Sequence, residues 1–248
     1  MSKNHLLIDG DILIYKIATA SEEATHWGDG FWTLHADAKT CIGNIENVLK
    51  TLQHNLDAET FTIALTDEKN FRKDVLPSYK SNRLGRRKPL TLPALREYLL
   101  EKYKAVIYKG LEADDVLGIL ATTPNKPKQV IVSIDKDFRQ IPSFISNNGQ
   151  DIINVSPEQA DYWFMLQTLA GDNVDGYTGL PNCGVKTAVK ILGDNIKLPI
   201  AELWKKVITA YKKKGFSEKE VLQQARVAKI LRHGEYNEKT GEVKLWKM

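Results

Sequence analysis

Over the first two-thirds of the chain, short apolar runs alternate with longer stretches of helical spacing. The runs are HLLI at 5–8, FTIAL at 61–65, AVIY at 105–108 and QVIVSI at 129–134, and the helical stretches fall at 36–56, 92–103 and 112–121. Runs rich in Val and Ile, separated by amphipathic helices, predict βαβ units and an α/β fold with a mostly parallel central sheet flanked by helices. HWGDGFWTLH, from His26 to His35, reads as a peripheral hairpin, because Gly-Asp-Gly supplies the turn and aromatics flank it. Beyond Gln150 the pattern turns helical, at 157–170, 184–193, 199–213 and 217–233, and 234–248 is expected as a short hairpin or extended tail. The predicted division is an α/β core over 1–155 and a helical region over 156–248.

The stretch 68–91 interrupts the alternation. It has no sustained apolar periodicity, contains Pro77 and Pro89, and crowds cations between Lys69 and Lys88, so it is expected as a long loop or poorly ordered helix. Loops of that length inside compact domains are usually functional or disordered. A second basic run spans Lys205 to Lys214. The net charge of +4 and a pI near 8.8 are too mild to identify a nucleic-acid binder. The distribution says more, since basic segments surround acidic residues gathered at predicted strand ends.

Composition excludes several classes. With 42% hydrophobic and 27% charged residues the chain is expected to build a core unaided. Cys41 and Cys183 have neither metal-ligand spacing nor a CxxC arrangement, which fits inert thiols in a reducing compartment. The apolar run in Met1–Ile8 is too short for a signal peptide and no stretch nears the roughly 20 residues of a membrane span, so no membrane partner is expected. The expected location is cytoplasmic, the host cytoplasm if the chain is viral.

Carboxylates recur where strands end: Asp9 in LLIDGD, Asp67 in IALTD, Glu112, Asp114 and Asp115 in GLEADD, Asp135 and Asp137 in VSIDKD, and Asp172 and Asp175 in GDNVDG. In doubly wound sheets ligands bind in the crevice beyond the carboxyl ends of the strands, so these side chains are candidates to converge there. Gathered bare they would repel one another, and oxygen-only clusters suit Mg²⁺ or Mn²⁺ rather than zinc. Taken singly, each has an ordinary reading: an Asp after a strand caps a turn or helix, and Glu112 to Asp115 would favour a helix N-terminus through its dipole. Asp11 fits a cap or a supporting group better than a ligand.

Taken in order, LLIDGD, TDEKNFRKDVLPSYKSNR, EADD, SIDKDF and GDNVDGYTGLPNCGVKTA closely resemble the 5′-nuclease family. That family includes flap endonucleases, the 5′-nuclease domain of bacterial DNA polymerase I and phage 5′–3′ exonucleases, the small bacteriophage enzymes being nearest. The resemblance covers about Leu6 to Leu192 and implies a PIN-like core with a C-terminal helix-hairpin-helix module, here near 177–193. It implies a metal-dependent phosphodiesterase with two Mg²⁺ (or Mn²⁺) ions. Asp9, Asp67, Glu112 and Asp114 would hold the first ion, Asp114, Asp135, Asp137 and Asp175 the second, with Asp115 and Asp172 as auxiliary carboxylates. Lys80 and Arg83 match the basic pair at the base of the family's helical arch, beside the scissile phosphate. Tyr79 is expected to stack a terminal base and Arg72 to contact the backbone, although a half-buried tyrosine and a charged surface loop are the plainer alternatives. In GYTGLPNCGVKTAVKIL, Gly179 and Gly184 would supply a tight turn presenting backbone N–H groups to a phosphate, with Lys186 and Thr187 beside it and K⁺ as a further ligand of the hairpin. The implied partner is duplex DNA with a 5′ end, nick or flap, or an RNA–DNA hybrid, and DNA replication is the implied setting.

Two departures matter. The hairpin has Pro181-Asn182-Cys183-Gly184 where the family usually has Pro-Gly-Ile-Gly, and Asn tolerates positive φ better than other non-glycine residues. The interval from Arg83 to Glu112 is shorter than in relatives that thread a free flap through an arch, favouring an exonuclease at duplex ends or nicks. Two rival readings stand beside this one. Asp9-Gly-Asp11 after a strand also fits the D-x-D of haloacid-dehalogenase-type phosphatases, which would have no use for the hairpin. A binding module with residual carboxylates is the non-catalytic alternative, and it would be expected to have lost some of them.

Overall fold

The computed structural model describes residues 3–248; Met1 and Ser2, the start of the N-terminal run judged above, lie outside the described residues. Strand β1 (Asn4–Asp9) leads directly into helix α1 (Gly10–Ala20). Asp9 caps this helix, its Oδ1 accepting from the Ile12 amide at 3.1 Å. Gly10 is required at the junction, since a Cβ there would lie 2.7 Å from the Ala64 carbonyl oxygen. Then come an antiparallel hairpin, β2 (Glu23–His26) and β3 (Trp32–His35), helix α2 (Ala38–Asn55) and strand β4 (Ala58–Ala64). The basic stretch holds one turn of helix, α3 (Arg72–Val75), and a 3-10 turn at Ser81–Arg83. Helices α4 (Leu92–Tyr103) and α5 (Ala113–Ala121) precede β5 (Gln129–Val132), β6 (Phe144–Ser146) and β7 (Ile153–Asn154). The helical half contains α6 (Pro157–Ala170), α7 (Val185–Leu192), α8 (Ile200–Lys212) and α9 (Glu218–Ala228), and the chain closes on a small hairpin, β8 (Tyr236–Asn237) and β9 (Glu242–Val243).

The central sheet has the order β4-β1-β5-β6-β7, parallel except for β7, as the alternation of runs and helices predicts. Side chains alternate across β1: Leu6 and Ile8 pack with α1, α2 and α4, whereas Leu7 faces α5 together with Ile131. A third cluster, built from α6 to α9 around Phe164, Trp204 and Tyr211, fills the helical half.

Two expectations are corrected and a third is refined. AVIY is not a strand: beyond the left-handed Lys104 (φ 53°) that ends α4, only Val106 finds a partner in register, a single parallel bridge to Ala64. The helix expected at 217–233 stops at Ala228, and the chain continues extended at Lys229 towards α5. The basic stretch is the long loop expected, broken only by α3 and the 3-10 turn, but Tyr79 within it is only 2% exposed and anchors it in the helical-half core instead of facing solvent.

Candidate active site

Three groups of carboxylates gather at the C-terminal edge of the parallel strands. Asp9 ends β1, and its Oδ2 accepts from the Ser133 hydroxyl at 3.1 Å, just past β5. Ser133 Oγ also accepts the Asp135 amide at 3.1 Å, and Asp135 Oδ1 accepts the Asp137 amide at 2.8 Å. Gln167 of α6 donates to Asp137 Oδ2 at 2.6 Å. One chain of hydrogen bonds thus runs from β1 across β5 to the helical half. Burial pushes the Asp9 carboxyl up to about 7, and the charges of Asp11 and Asp135 add to the shift. Burial and the neighbouring Asp135 charge likewise push Asp137 up to about 6.

The second group stands at the N-terminus of α5. Glu112 is its N-cap and Asp114 lies in its first turn. Burial would raise Glu112, yet the cations Arg72 and Lys80 beside it hold it down to about 2. For Asp114 the balance goes the other way: burial, then the charges of Glu112 and Asp9, outweigh the pull of Lys80 and push it well above the usual carboxylate range.

Asp175 is the third, on the 172–177 loop after α6. Asp172 shapes this loop, its Oδ1 accepting the Val174 amide at 2.7 Å and the Asp175 amide at 3.3 Å. Lys80, Arg83 and Tyr79 fasten the loop to α5. Lys80 sits in a left-handed conformation (φ 55°), its amide donating to the Asp175 carbonyl at 2.7 Å. Its ammonium pairs with Glu112 Oε1 and lies 3.6 Å from Asp175 Oδ2. Arg83 Nη2 meets Asp175 Oδ1 at 2.5 Å, and the Tyr79 hydroxyl lies 2.8 Å from Glu112 Oε2 and 2.9 Å from Asp175 Oδ2.

Among the described residues, no three of these side chains already stand as a ready-made metal cage. Glu112 and Asp175 carry Lys80 and Arg83 as counter-charge instead. The donor set itself fits a divalent cation, being all oxygen. Asp137 Oδ1 is buried without a hydrogen-bond partner, and Asp9, Asp114 and Asp137 are all raised by burial, although Lys80 acts on Asp114 and Lys136 on Asp137.

Next to this edge, Leu180-Pro181-Asn182-Cys183 turns the chain into α7. Asn182 takes the positive φ (60°) the turn needs, and the Cys183 amide donates to the Leu180 carbonyl at 3.0 Å. Gly184 is the N-cap of α7 with open space around it, and Lys186 and Thr187 are exposed on the first turn. A groove of about 550 Å³ between this turn and α8 is lined by Lys205, Lys206, Lys213 and Lys214.

Residues 4–159 match the family model described as the 5′-3′ exonuclease, N-terminal resolvase-like domain. The chain belongs to the 5′–3′ exonuclease family. It is 31% identical to an exodeoxyribonuclease of Enterobacteria phage T3, over 98% of this chain and 93% of that protein. It is 30% identical to the exonuclease of Escherichia phage T7, over 99% of this chain and 94% of the relative. Its fold resembles the phage T5 D15 flap endonuclease, solved with DNA and metal ions, with a TM-score of 0.53 at 17% identity over 91% of this chain and 93% of that one. A T5 5′-exonuclease with bound divalent metal ions (zinc) gives a TM-score of 0.54 at 16% identity, over 91% and 89% of the two chains.

Within this family member, several expected site residues take other places. Arg72 cannot reach DNA: it is 2% exposed, and Nη1 and Nη2 grip Asp115 at 2.6 and 2.8 Å while Nε and Nη2 bond the carbonyls of Val227 and Lys229. Asp115 is likewise no auxiliary ligand, being fully buried and also accepting the Leu231 amide at 3.0 Å. Tyr79 has no face free for a base. Asp67 turns to the Gly110 amide at 2.7 Å, and its pKa is lowered by that bond, by the Glu68 and Lys69 amides and by Arg96 rather than touched by another carboxylate. Gly179 does not present its amide to a ligand but donates it to Gln224 Oε1, and packs so closely on Gly171 that a Cβ would lie 2.3 Å from the Gly171 nitrogen. Asp11, by contrast, takes a contact of the supporting kind expected of it, accepting the Thr66 amide at 2.8 Å.

Ser133 and Gln167 were missed. Ser133 sits inside VSIDKD and was legible there as a hydroxyl two residues before Asp135. Gln167 is 30 residues from Asp137 on an ordinary helix, and nothing in the sequence marks it.

Proposed function

We propose that this protein is a divalent-metal-dependent nuclease that hydrolyses phosphodiesters near the 5′ ends of duplex, nicked or flapped DNA, with RNA–DNA hybrid as a further substrate. The observation that carries the proposal is the convergence of Asp9, Glu112, Asp114, Asp135, Asp137 and Asp175 at one sheet edge, faced by Lys80 and Arg83. Asp9, Glu112 and Asp114 would hold one Mg²⁺ or Mn²⁺ ion, and Asp114, Asp135, Asp137 and Asp175 a second, with Asp67 and Asp172 in supporting positions. Two cations bound there supply a lowered pKa for the attacking water and counter-charge for the crowded phosphate.

The chain's own groups do the rest. Lys80 and Arg83, which balance Glu112 and Asp175, are set at the mouth of the site, where a phosphate offers them a second partner. Their cations are worth most where charge develops on the phosphate oxygens, so they act on the transition state more than on affinity. Gly184, Lys186 and Thr187 at the start of α7 grip the backbone without reading bases, K⁺ completing that hairpin, and the lysines of the α7–α8 groove extend the basic surface. Relatives named as an exodeoxyribonuclease and an exonuclease support the reading.

The test uses end-labelled duplex, nicked, flapped and hybrid substrates with Mg²⁺, Mn²⁺, Ca²⁺ or EDTA. Cleavage from the 5′ side is expected in Mg²⁺ and Mn²⁺ only. Full cleavage after exhaustive chelation would overturn the metal-dependent reading.

A further inference from the structure

A cleft of about 530 Å³ opens directly beside Asp9, on the α1–α2 face of the sheet. The hairpin turn and α7 belong to the helical half; Asp9 and Ser133 line this cleft, and the hydrogen bonds from them through Asp135 and Asp137 reach Gln167 of that half. A strand gripped by the hairpin and crossing the carboxylates would continue into it. The lining combines three features. Leu13, Val48 and Ile134 offer an apolar surface, and Ile134 is 63% exposed although it adjoins Asp135. Asn44, Asn47 and Asn147 bring amides able both to donate and to accept hydrogen bonds. Asp9 is the sole carboxylate on the lining, while Lys16 supplies a cation. The volume lies within the range of about 300–1,000 Å³ typical of small-ligand sites, and an apolar slot with a few convergent polar groups is the form such sites take.

We propose that this cleft is the subsite for the nucleotide on the 5′ side of the scissile phosphate, the one released by cleavage. The proposal rests on the nuclease reading above. The base lies against Ile134, Val48 and Leu13, the three amides meet its polar edge, and Lys16 faces its 5′-phosphate. Asparagine amides serve as donor or acceptor, so the subsite accepts all four bases. In the hydrolysis, the oxygen of water joins phosphorus and the bond from phosphorus to O3′ of the terminal nucleotide breaks. O3′ takes a proton and leaves with the nucleotide, while the phosphate stays on the shortened strand. From a 5′-phosphorylated end the product in the cleft is a nucleoside 5′-monophosphate.

Deoxyadenosine 5′-monophosphate is the probe, with inorganic phosphate as control, titrated in Mg²⁺ while the side-chain amide signals of Asn44, Asn47 and Asn147 are followed by NMR. Asn47 is exposed on α2, so Asn47→Trp fills the cleft without disturbing the core, which an unchanged melting temperature verifies. Saturable shifts of the three amides are expected with the nucleotide and not with phosphate. Asn47→Trp should weaken nucleotide binding tenfold or more and slow single-turnover release of the terminal nucleotide from a nicked duplex at least tenfold, with duplex affinity within twofold of the parent. Unmoved amides, equal shifts with phosphate, or a parental release rate in Asn47→Trp would overturn the subsite while leaving the nuclease reading intact. Absence of any cleavage by the parent would sink the nuclease reading instead, and the subsite that rests on it.

Discussion

Arg72 and Asp115 form a two-pronged ion pair, 2.6 and 2.8 Å between heavy atoms, with both side chains withdrawn from solvent. It ties the basic stretch to the first turn of α5, and the same guanidinium bonds the carbonyls of Val227 and Lys229, which ties both to the end of α9. Removing one partner of such a pair leaves a buried charge uncompensated. Arg72→Ala should therefore lower folding stability by about 3–5 kcal/mol, read by chemical denaturation, and Arg72→Lys should recover little because an ammonium cannot reproduce the fork. If Arg72→Ala instead kept its stability and lost DNA affinity, the residue would belong to the DNA surface.

Asp9 makes metal-free stability depend on pH. An unfolded aspartate titrates near 3.9, and the folded value of Asp9 is about 7. The folded protein therefore holds this proton more tightly, so the destabilisation from ionising Asp9 is absent below about pH 4, grows as pH rises and is complete above about 7. Asp9→Asn, which keeps an oxygen for the Ile12 amide, should raise the metal-free melting temperature at pH 8 and leave it nearly unchanged at pH 4. Mg²⁺ should raise the parent's melting temperature more at pH 8 than at pH 6, since it competes with the proton. A metal effect independent of pH would remove Asp9 from the ligands.

Binding and chemistry fall to different residues, and two substitutions separate them. Asp114→Asn removes negative charge beside a polyanion, so it should bind DNA as well as the parent or better while cleaving it orders of magnitude more slowly. Lys186→Ala should weaken binding to all sequences and flatten its salt dependence by about one unit of log–log slope, with little change in rate at saturating DNA. A salt titration in Ca²⁺ and single-turnover cleavage in Mg²⁺ read both effects. Loss of binding in Asp114→Asn would contradict this division of labour.

Only residues 84–91 separate the 3-10 turn from α4, and α4 packs its Leu95 and Leu99 into the sheet's core rather than arching over the site. A bulky block on the 5′ end of a long single-stranded flap should therefore leave its cleavage within about twofold of the unblocked flap. Strong inhibition on the flap, with none on a nicked duplex, would show that the segment closes over the strand.

What the sequence determined by itself was the alternation that builds the parallel sheet, and the placement of acidic residues at strand ends, where backbone geometry alone sends them to one edge. The order of the motifs then marked the family. It could not tell which charged groups point outward. Arg72 and Tyr79 lie in a run whose cations and prolines read as surface, yet both are buried because partners 155 and 96 residues away, the Val227 carbonyl and Asp175, reach them only in the folded chain. Asp115, next to Asp114, is drawn inward by Arg72 while Asp114 stays beside Glu112 and Asp9; successive positions on a helix point about 100° apart, so neighbours in sequence have different surroundings. AVIY failed as a strand for a related reason, since a ladder needs a neighbour in register and only Val106 finds one. Periodicity reports what a residue does to its own segment, whereas burial and pairing are set by segments that arrive from elsewhere, and those tertiary contacts decided which carboxylates remain free to work.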